Sequence, residues 1–328
     1  MLNIGKVPES VLKRSIFKQI KTKREEIVIG AQVGEDCAAI ELAPDEIFVT
    51  STDPITGTSH DIGALSVHVT ANDIASSGAE VIGVMLSVLL PEGTEESELK
   101  SIMCQAESVC NELNIQTIGG HTEVTRVVNQ PVITVTGIGK VKKDKLVTTS
   151  GAKVGDDVVV TKWIGLEGTS IIAKEKEKEL KEHFSDGFIQ TAQDFASYLS
   201  VVRDAACAMK IGVSAMHDVT EGGIFGALWE VAEGSKVGLE INLRDIPVRQ
   251  ETIEVCEEFG INPYELISSG SMLITTSKGA QVVAELNKAG IGGAIIGKVT
   301  AGNDRVLING DEKRYLEPPK SDELYKIY

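Results

Sequence analysis

From Val81 to Leu90 the chain is a nearly unbroken apolar run, closed by Pro91-Glu92-Gly93. A run of that length between turn residues suits a strand buried on both faces, and such a strand needs packed layers above and below it. The next segment is helical. Thr94 can cap it, Glu95 and Glu96 sit near its positive end, and Leu99, Ile102, Met103, Ala106, Cys110 and Leu113 form one apolar stripe. A short strand, Ile115 to Ile118, then runs into Gly119-Gly120, and from Pro131 to Val141 the chain alternates Ile133 and Val135 with Thr134 and Thr136. Upstream, Ile27-Val28-Ile29, Cys37 to Leu42 and Ile47 to Thr50 read as strands, and Asp61 to Ser76 as a helix with Leu65, Val69 and Asn72 on one face. The whole is an α/β pattern.

Around residues 142–155 the sequence becomes charged and small (Lys142-Lys143-Asp144, Ser150-Gly151, Gly155-Asp156), which marks a linker. Two domains are expected, 1–150 and 151–328. The second restarts with a strand at Val158 to Thr161, carries a charged helical stretch from Ile172 to His183, and alternates helices and strands through Ile308. A chain of 328 residues, 42% apolar, is long enough for two cores. Lys and Arg total 32 against 48 Asp and Glu, and a net charge of −16 disfavours nucleic acid and anionic lipid as partners. No stretch approaches the roughly 20 apolar residues of a membrane span, and the start lacks a signal-peptide core, so a cytoplasmic location is expected. Five scattered cysteines without a C-x-x-C pair read as reduced thiols, Cys110 as a buried apolar side chain.

Three carboxylate-bearing turns stand out: Gly34-Glu35-Asp36, Ser51-Thr52-Asp53-Pro54 and Asn72-Asp73. They are either separate turn-forming and capping aspartates or a converging set of oxygen ligands for magnesium, which takes one or two carboxylates together with phosphate oxygens. Gly119-Gly120-His121-Thr122 is either a tight turn or a close backbone approach to a phosphate. Neither a P-loop nor a Rossmann fingerprint is present, since Gly137-Ile138-Gly139-Lys140 lacks the upstream glycine and the hydroxyl residue. In the second half, Thr220 or Asp218 of His217-Asp218-Val219-Thr220-Glu221-Gly222-Gly223 caps a helix, or the loop lines a pocket where His217 and Asp218 move a proton. His60 beside Asp61 raises the same question, whereas His68 and His183 read as structural or solvent-facing. No nucleophile elbow surrounds Ser269-Gly270-Ser271.

Taken in order, Gly5-Lys6-Val7-Pro8, Gly34-Glu35-Asp36-Cys37, Thr52-Asp53-Pro54, Asn72-Asp73-Ile74-Ala75, Gly119-Gly120-His121-Thr122 and His217 to Gly223 resemble one superfamily. It contains aminoimidazole ribotide (AIR) synthetase, formylglycinamidine synthetase, selenophosphate synthetase, thiamine-monophosphate kinase and the hydrogenase-maturation protein HypE. The resemblance implies a PurM-like two-domain fold, with an N-terminal domain that dimerises through a β-barrel-like sheet and a C-terminal α/β domain. It also implies ATP with Mg²⁺, passing a γ-phosphoryl group to a small carbonyl, amide or phosphate substrate by positioning and charge neutralisation. By matching position, Asp36, Asp53 and Asp73 would hold metal, Asn72 and Thr122 would touch nucleotide, Gly119, Gly120 and His121 would complete that site, and Lys6 would reach a phosphate. His217, Asp218 and His60 are the candidate catalytic residues.

Departures narrow the expectation. The sequence ends Leu324-Tyr325-Lys326-Ile327-Tyr328 and its last cysteine is Cys256, so it lacks the C-terminal cysteine that HypE modifies. The first cysteine, Cys37, falls in the metal-site turn rather than where selenophosphate synthetases carry their reactive residue. Thiamine-monophosphate kinases have aspartate where His121 stands. The nearest group is the AIR-synthase-related proteins, which share the Gly-Gly-His-Thr-Glu-Val form. An ATP-dependent enzyme is the leading expectation; a HypE-like factor acting with a protein partner and a non-catalytic nucleotide-binding homodimer are the others.

Overall fold

A computed structural model of the chain describes residues 2–32, 37–55, 61–318 and 321–327. They form two compact units, Met1–Ile74 with Ala79–Leu146, and Ala75–Gly78 with Val147–Tyr328.

The first unit opens with β1 (Gly5–Lys6) and α1 (Glu9–Val11), which continues as a wider helical coil over Leu12–Phe17. A small hairpin follows, β2 (Ile27–Ile29) with β3 (Ala39–Ile40), and then β4 (Glu46–Ile55), α2 (Ile62–Ser76), β5 (Glu80–Pro91), α3 (Glu96–Glu112), β6 (Gln116–Thr125) and β7 (Val132–Lys142). Five of these strands make one sheet in the order β1-β6-β5-β7-β4. Within it β5 and β6 are parallel, as strands joined by the crossover helix α3 must be.

Two bulges shape this sheet. The β5–β7 register shifts between Val81 and Gly83, and the β5–β6 register shifts at Val84/Met85, where Thr117 is followed by Gly119. The residues left over, Ile82 and Ile118, join Ile138 in a cluster covered by Ile27, Ala38, Ile40 and Leu42. The extra residue of a bulge is re-aimed out of the pleat, and here both extra side chains become the seat of the β2–β3 hairpin. An ion network clamps that hairpin: the nearly buried Arg24 and Glu26 pair at 2.7 Å, and Lys140 of β7 reaches Glu26 at 2.7 Å. The hydrogen bond from Arg24 holds the Glu26 carboxyl down at about 2.

Several expectations change here. Gly119-Gly120 is not a turn: β6 runs on through it to Thr125, with Gly119 and Gly120 paired to Met85 and Leu86 of β5. Thr94 does not cap α3; its hydroxyl turns back to the Pro91 carbonyl at 2.8 Å, and Glu95 holds the cap position without a side-chain bond. Strand β5 is not buried on both faces along its length, since Ser87 is exposed and Met85 and Leu89 half-buried. The apolar stripe of α3 is buried from Leu99 to Cys110, and burial pushes the Cys110 thiol up to about 12.

The second unit contains β8 (Asp157–Thr161), α4 (Leu166–Glu175), α5 (Glu177–Leu180), α6 (Asp186–Gln193), α7 (Val202–Ile211), β9 (Ala215–Asp218) and α8 (Gly223–Ser235). After them come β10 (Gly238–Asn242), α9 (Gln250–Phe259), β11 (Met272–Thr276), α10 (Gly279–Lys288), β12 (Gly293–Thr300), β13 (Arg305–Asn309) and β14 (Glu312–Tyr315). Seven strands make one sheet, β14-β13-β10-β12-β8-β11-β9. Strand β8, an interior strand between β12 and β11, is apolar on both faces. Val158 and Val160 of β8 pack with Leu228 and Val231 of α8, while Val159 packs with Ala205 of α7 and Val282 and Leu286 of α10. Strict alternation along a strand sandwiched between helix layers produces this division. The charged stretch expected as one helix is two, α4 and α5, broken at Lys176, and Lys181 pairs with Glu177 in solvent.

Candidate nucleotide and metal site

Two glycines of β7 set the first part of the site. Gly137 lies opposite Ser51 of β4, and a Cβ on it would sit 2.5 Å from Thr70 Cγ2 of α2; one on Gly139 would collide with Ile74. Without side chains at those positions α2 settles directly on the sheet. Asp73, between Thr70 and Ile74 in sequence, thereby reaches the neighbouring strand. The Ser51 hydroxyl lies 2.6 Å from Asp73 Oδ2 and 3.1 Å from Asp53 Oδ2, so one oxygen bridges two half-buried carboxylates.

A hydroxyl has one proton to give, and two carboxylates held this close repel each other unless a cation joins them. The oxygen-only donor set fits a hard divalent ion that also keeps phosphate or water ligands. Among the described residues no group of three or more His, Cys, Asp or Glu converges as a metal cage. The expected third ligand, Asp36, lies outside the described residues, as does His60.

A cavity of about 510 Å³ supplies the second part. Lys6, Gly119, Gly120, His121 and Thr122 all line it, together with the exposed Cys37. Strand β1 pairs with β6 so that Lys6 stands opposite Glu123, and His121 Nε2 lies 3.1 Å from Glu123 Oε2. Gly120 has φ +148°, and a Cβ there would collide with the Leu86 carbonyl, so only glycine lets β6 lie against β5 at this point. The opposite side of the cavity is apolar, with Leu12, Ile16 and Phe17 from the coil after α1. Thr117, also in the cavity lining, donates to the Glu107 carboxyl, which burial pushes upward.

The two parts share one row of the sheet. Asp53 lies opposite Val135, Val135 opposite Leu86, and Leu86 opposite Gly120. Three strand spacings separate the row's ends, about 14 Å. Asn72 is fully buried on α2 and does not line the cavity.

His217 and Asp218 belong to the second unit, at the end of β9. His217 is held between Glu230, 2.6 Å from Nε2, and Thr149, 3.4 Å from Nδ1, and Asp218 is buried. Neither Asp218 nor Thr220 caps α8: Gly222 holds that position, and its N–H donates to Asp322 Oδ2 at 2.7 Å. The helix start expected to be free for an anion is thus occupied by a carboxylate of the chain. From the sequence, Ser51 counts only as part of a turn and Gly137 and Gly139 only as an incomplete phosphate-loop pattern, while Glu107 is not singled out. Only the glycines left a signal, because an i, i+2 pair inside a strand empties one face of it.

Comparison with known proteins settles the family. Residues 34–141 match the N-terminal domain model of AIR synthase related protein, and residues 153–309 match its C-terminal domain model. The chain belongs to the AIR synthase related family. Within it, this AIR synthase related chain is 27% identical to a hydrogenase expression/formation protein of Methanocaldococcus jannaschii, over 98% of this chain and 97% of the relative. It is 29% identical to the carbamoyl dehydratase HypE of Cupriavidus necator, over 73% of this chain and 68% of the relative. The crystal structure of hydrogenase maturation protein HypE in complex with ATP shares the fold, with a TM-score of 0.81, 21% identity, and coverage of 98% of this chain and 97% of that one. The PurM-like two-domain architecture expected from the sequence is therefore the observed one. Among the described residues no helix is long and apolar enough to cross a membrane.

Proposed function

We propose that this AIR synthase related protein is an ATP-dependent, HypE-like enzyme that activates a carboxamide oxygen by phosphorylation. The observation that carries the reading is the Ser51-bridged Asp53–Asp73 pair on the same sheet row as Gly120. In this reading Gly119 and Gly120 give the phosphates close approach to backbone, Lys6 meets their charge, and the apolar side of the cavity shields the base. Asp53 and Asp73 hold Mg²⁺, which neutralises phosphate charge and orients the terminal group. His121, paired with Glu123, lines the cavity from the other face of the sheet.

The chemistry balances as follows. The amide oxygen attacks the γ-phosphorus, the bond from that phosphorus to the bridging oxygen breaks, and ADP leaves; one amide proton is lost. Expulsion of phosphate from the imidate with loss of the second proton leaves a nitrile, the net removal of water that a carbamoyl dehydratase performs. Support comes from the relative of that name and from the ATP-bound HypE with the same fold. The amide is presented by a small molecule or by a partner protein's cysteine, and isolation of a stable complex with a carbamoyl-transferring partner separates the two. The open sheet face, with Phe48, Thr52, Ser87 and His121 exposed, is where we place the homodimer contact.

The test is titration of Mg-ATP into the wild-type chain and the Asp53→Asn and Asp73→Asn variants. Each variant should bind at least about tenfold more weakly, a loss on the scale of one charge-assisted interaction. Unchanged affinity removes the metal assignment. Tight binding without ADP release against any amide leaves a nucleotide-binding protein that does not turn over.

A further inference from the structure

A second cleft of about 490 Å³, in the second unit, lies between the β13–β14 hairpin and the Leu243–Asp245 turn. Arg244, Tyr264, Leu307, Glu312, Lys313 and Arg314 line it. In a chain with 48 acidic and 32 basic residues, Arg244, Lys313 and Arg314 form no ion pair among the described residues. Arg244 donates instead to the neutral Asn309 Oδ1 at 3.2 Å, and the Arg314 guanidinium stands 5.7 Å from the Phe225 ring centroid. Three cations against the single carboxylate of Glu312 leave the cleft with an excess of positive charge, which attracts an anion.

The cleft is also built. The hairpin closes through Gly310 at φ +64°, where a Cβ would meet Arg244 Nη2 at 2.8 Å, so the arginine lies directly across the turn. Tyr264 stacks on Phe225 with ring centroids 5.2 Å apart and planes 10° from parallel. Phe225 lines the neighbouring cavity of about 510 Å³, which shares Leu307 and Arg314 with this one, and the half-buried Tyr264 lines the cleft itself. Charges that guard an edge strand against pairing would account for Lys313 and Arg314, since β14 is the outermost strand. They do not account for Arg244, which comes from a different element, or for the stacked ring.

We propose that this cleft binds a small phosphorylated ligand with a planar ring, of the size and charge of a nucleoside monophosphate. The ring lies on Tyr264 and the phosphate between Arg244 and Arg314, where guanidinium forks match phosphate geometry. The site is independent of the ATP reading of the first unit.

The experiment is calorimetric titration of AMP, and separately of inorganic phosphate, into the full chain without magnesium. AMP should saturate one site per chain and bind at least about tenfold tighter than phosphate, and Arg244→Ala, Arg314→Ala and Tyr264→Leu should each weaken it about tenfold. Lys6→Ala should leave it unchanged. Should Tyr264→Leu unfold, the two exposed arginine variants carry the test. AMP binding as tight in both arginine variants as in the wild type, or lost in Lys6→Ala alone, overturns the proposal; so does the absence of saturable binding, or phosphate binding as tightly as AMP. Failure of Asp53→Asn to affect Mg-ATP would count against the first site only.

Discussion

Glu167 sits in the first turn of α4 with its side chain fully buried. Burial raises its carboxyl to about 7, against hydrogen bonds from Ser269, and the nearby Asp322 and Glu221 add to the rise. The sign follows from which state holds the proton. Below the unfolded-chain value of 4.5 the folded and unfolded states are both protonated, and as pH climbs through 7 the folded state must give up a proton it holds more tightly. Stability therefore falls with rising pH by about 3 kcal/mol. Glu167→Gln should flatten the drop in melting temperature between about pH 5 and about pH 8; a parallel drop in the variant would show that other groups cause it. Glu26 works in the opposite direction. Its carboxyl, held at about 2 by Arg24, contributes stability that is present above 4.5 and lost as pH falls through 2. Glu26→Gln should cost about 1–3 kcal/mol in urea unfolding near neutral pH, because it removes the buried carboxylate shared by Arg24 and Lys140 and leaves Arg24 only the exposed Glu80. At this scale the candidate aspartates Asp53 and Asp73 were legible as residue types. Ser51, the atom that joins them, was not, because a serine in a strand carries no signal until its partner across 22 positions is placed.

Among the elements, α2 is the one whose position matters most. Its contact with β7 runs through Gly137 and Gly139, and a methyl group at Gly137 would push against Thr70. Gly137→Ala should destabilise the fold by about 1–3 kcal/mol and weaken Mg-ATP binding, by lifting Asp73 away from Ser51. Binding left at wild-type strength in a destabilised variant would mean that the helix shifts without moving its aspartate. The helices α2 and α3 were read close to their observed bounds because their apolar residues recur at helical spacing over four turns or more. Their ends were not. Thr94 has the composition of a cap, yet the chain turns at Pro91 and uses its hydroxyl there. Gly119-Gly120 has the composition of a turn, yet a parallel neighbour with a bulge keeps it in the sheet. In both cases local chemistry allowed two outcomes, and contacts outside the segment selected one.

For the whole molecule, a net charge of −16 means self-repulsion that salt screens. Raising ionic strength from about 0.02 M to about 0.2 M should raise the melting temperature by a few degrees, and a fall instead would show that the internal ion pairs dominate. Mg-ATP at about 100 times its dissociation constant should add about 2.7 kcal/mol to apparent stability, read as a further rise in the melting temperature, with no shift from ATP in excess chelator. The sequence by itself determined the α/β pattern, the net acidic charge and the family, since periodicity, composition and short motifs are properties of neighbouring residues. Tertiary structure alone decided that Asp53 and Asp73 meet, that Lys6 and His121 share a cavity, and that Arg244 joins Lys313 and Arg314 around Tyr264. Each of these depends on register between strands or on the seating of a helix, contacts between residues far apart in the chain whose geometry is set only when the layers pack.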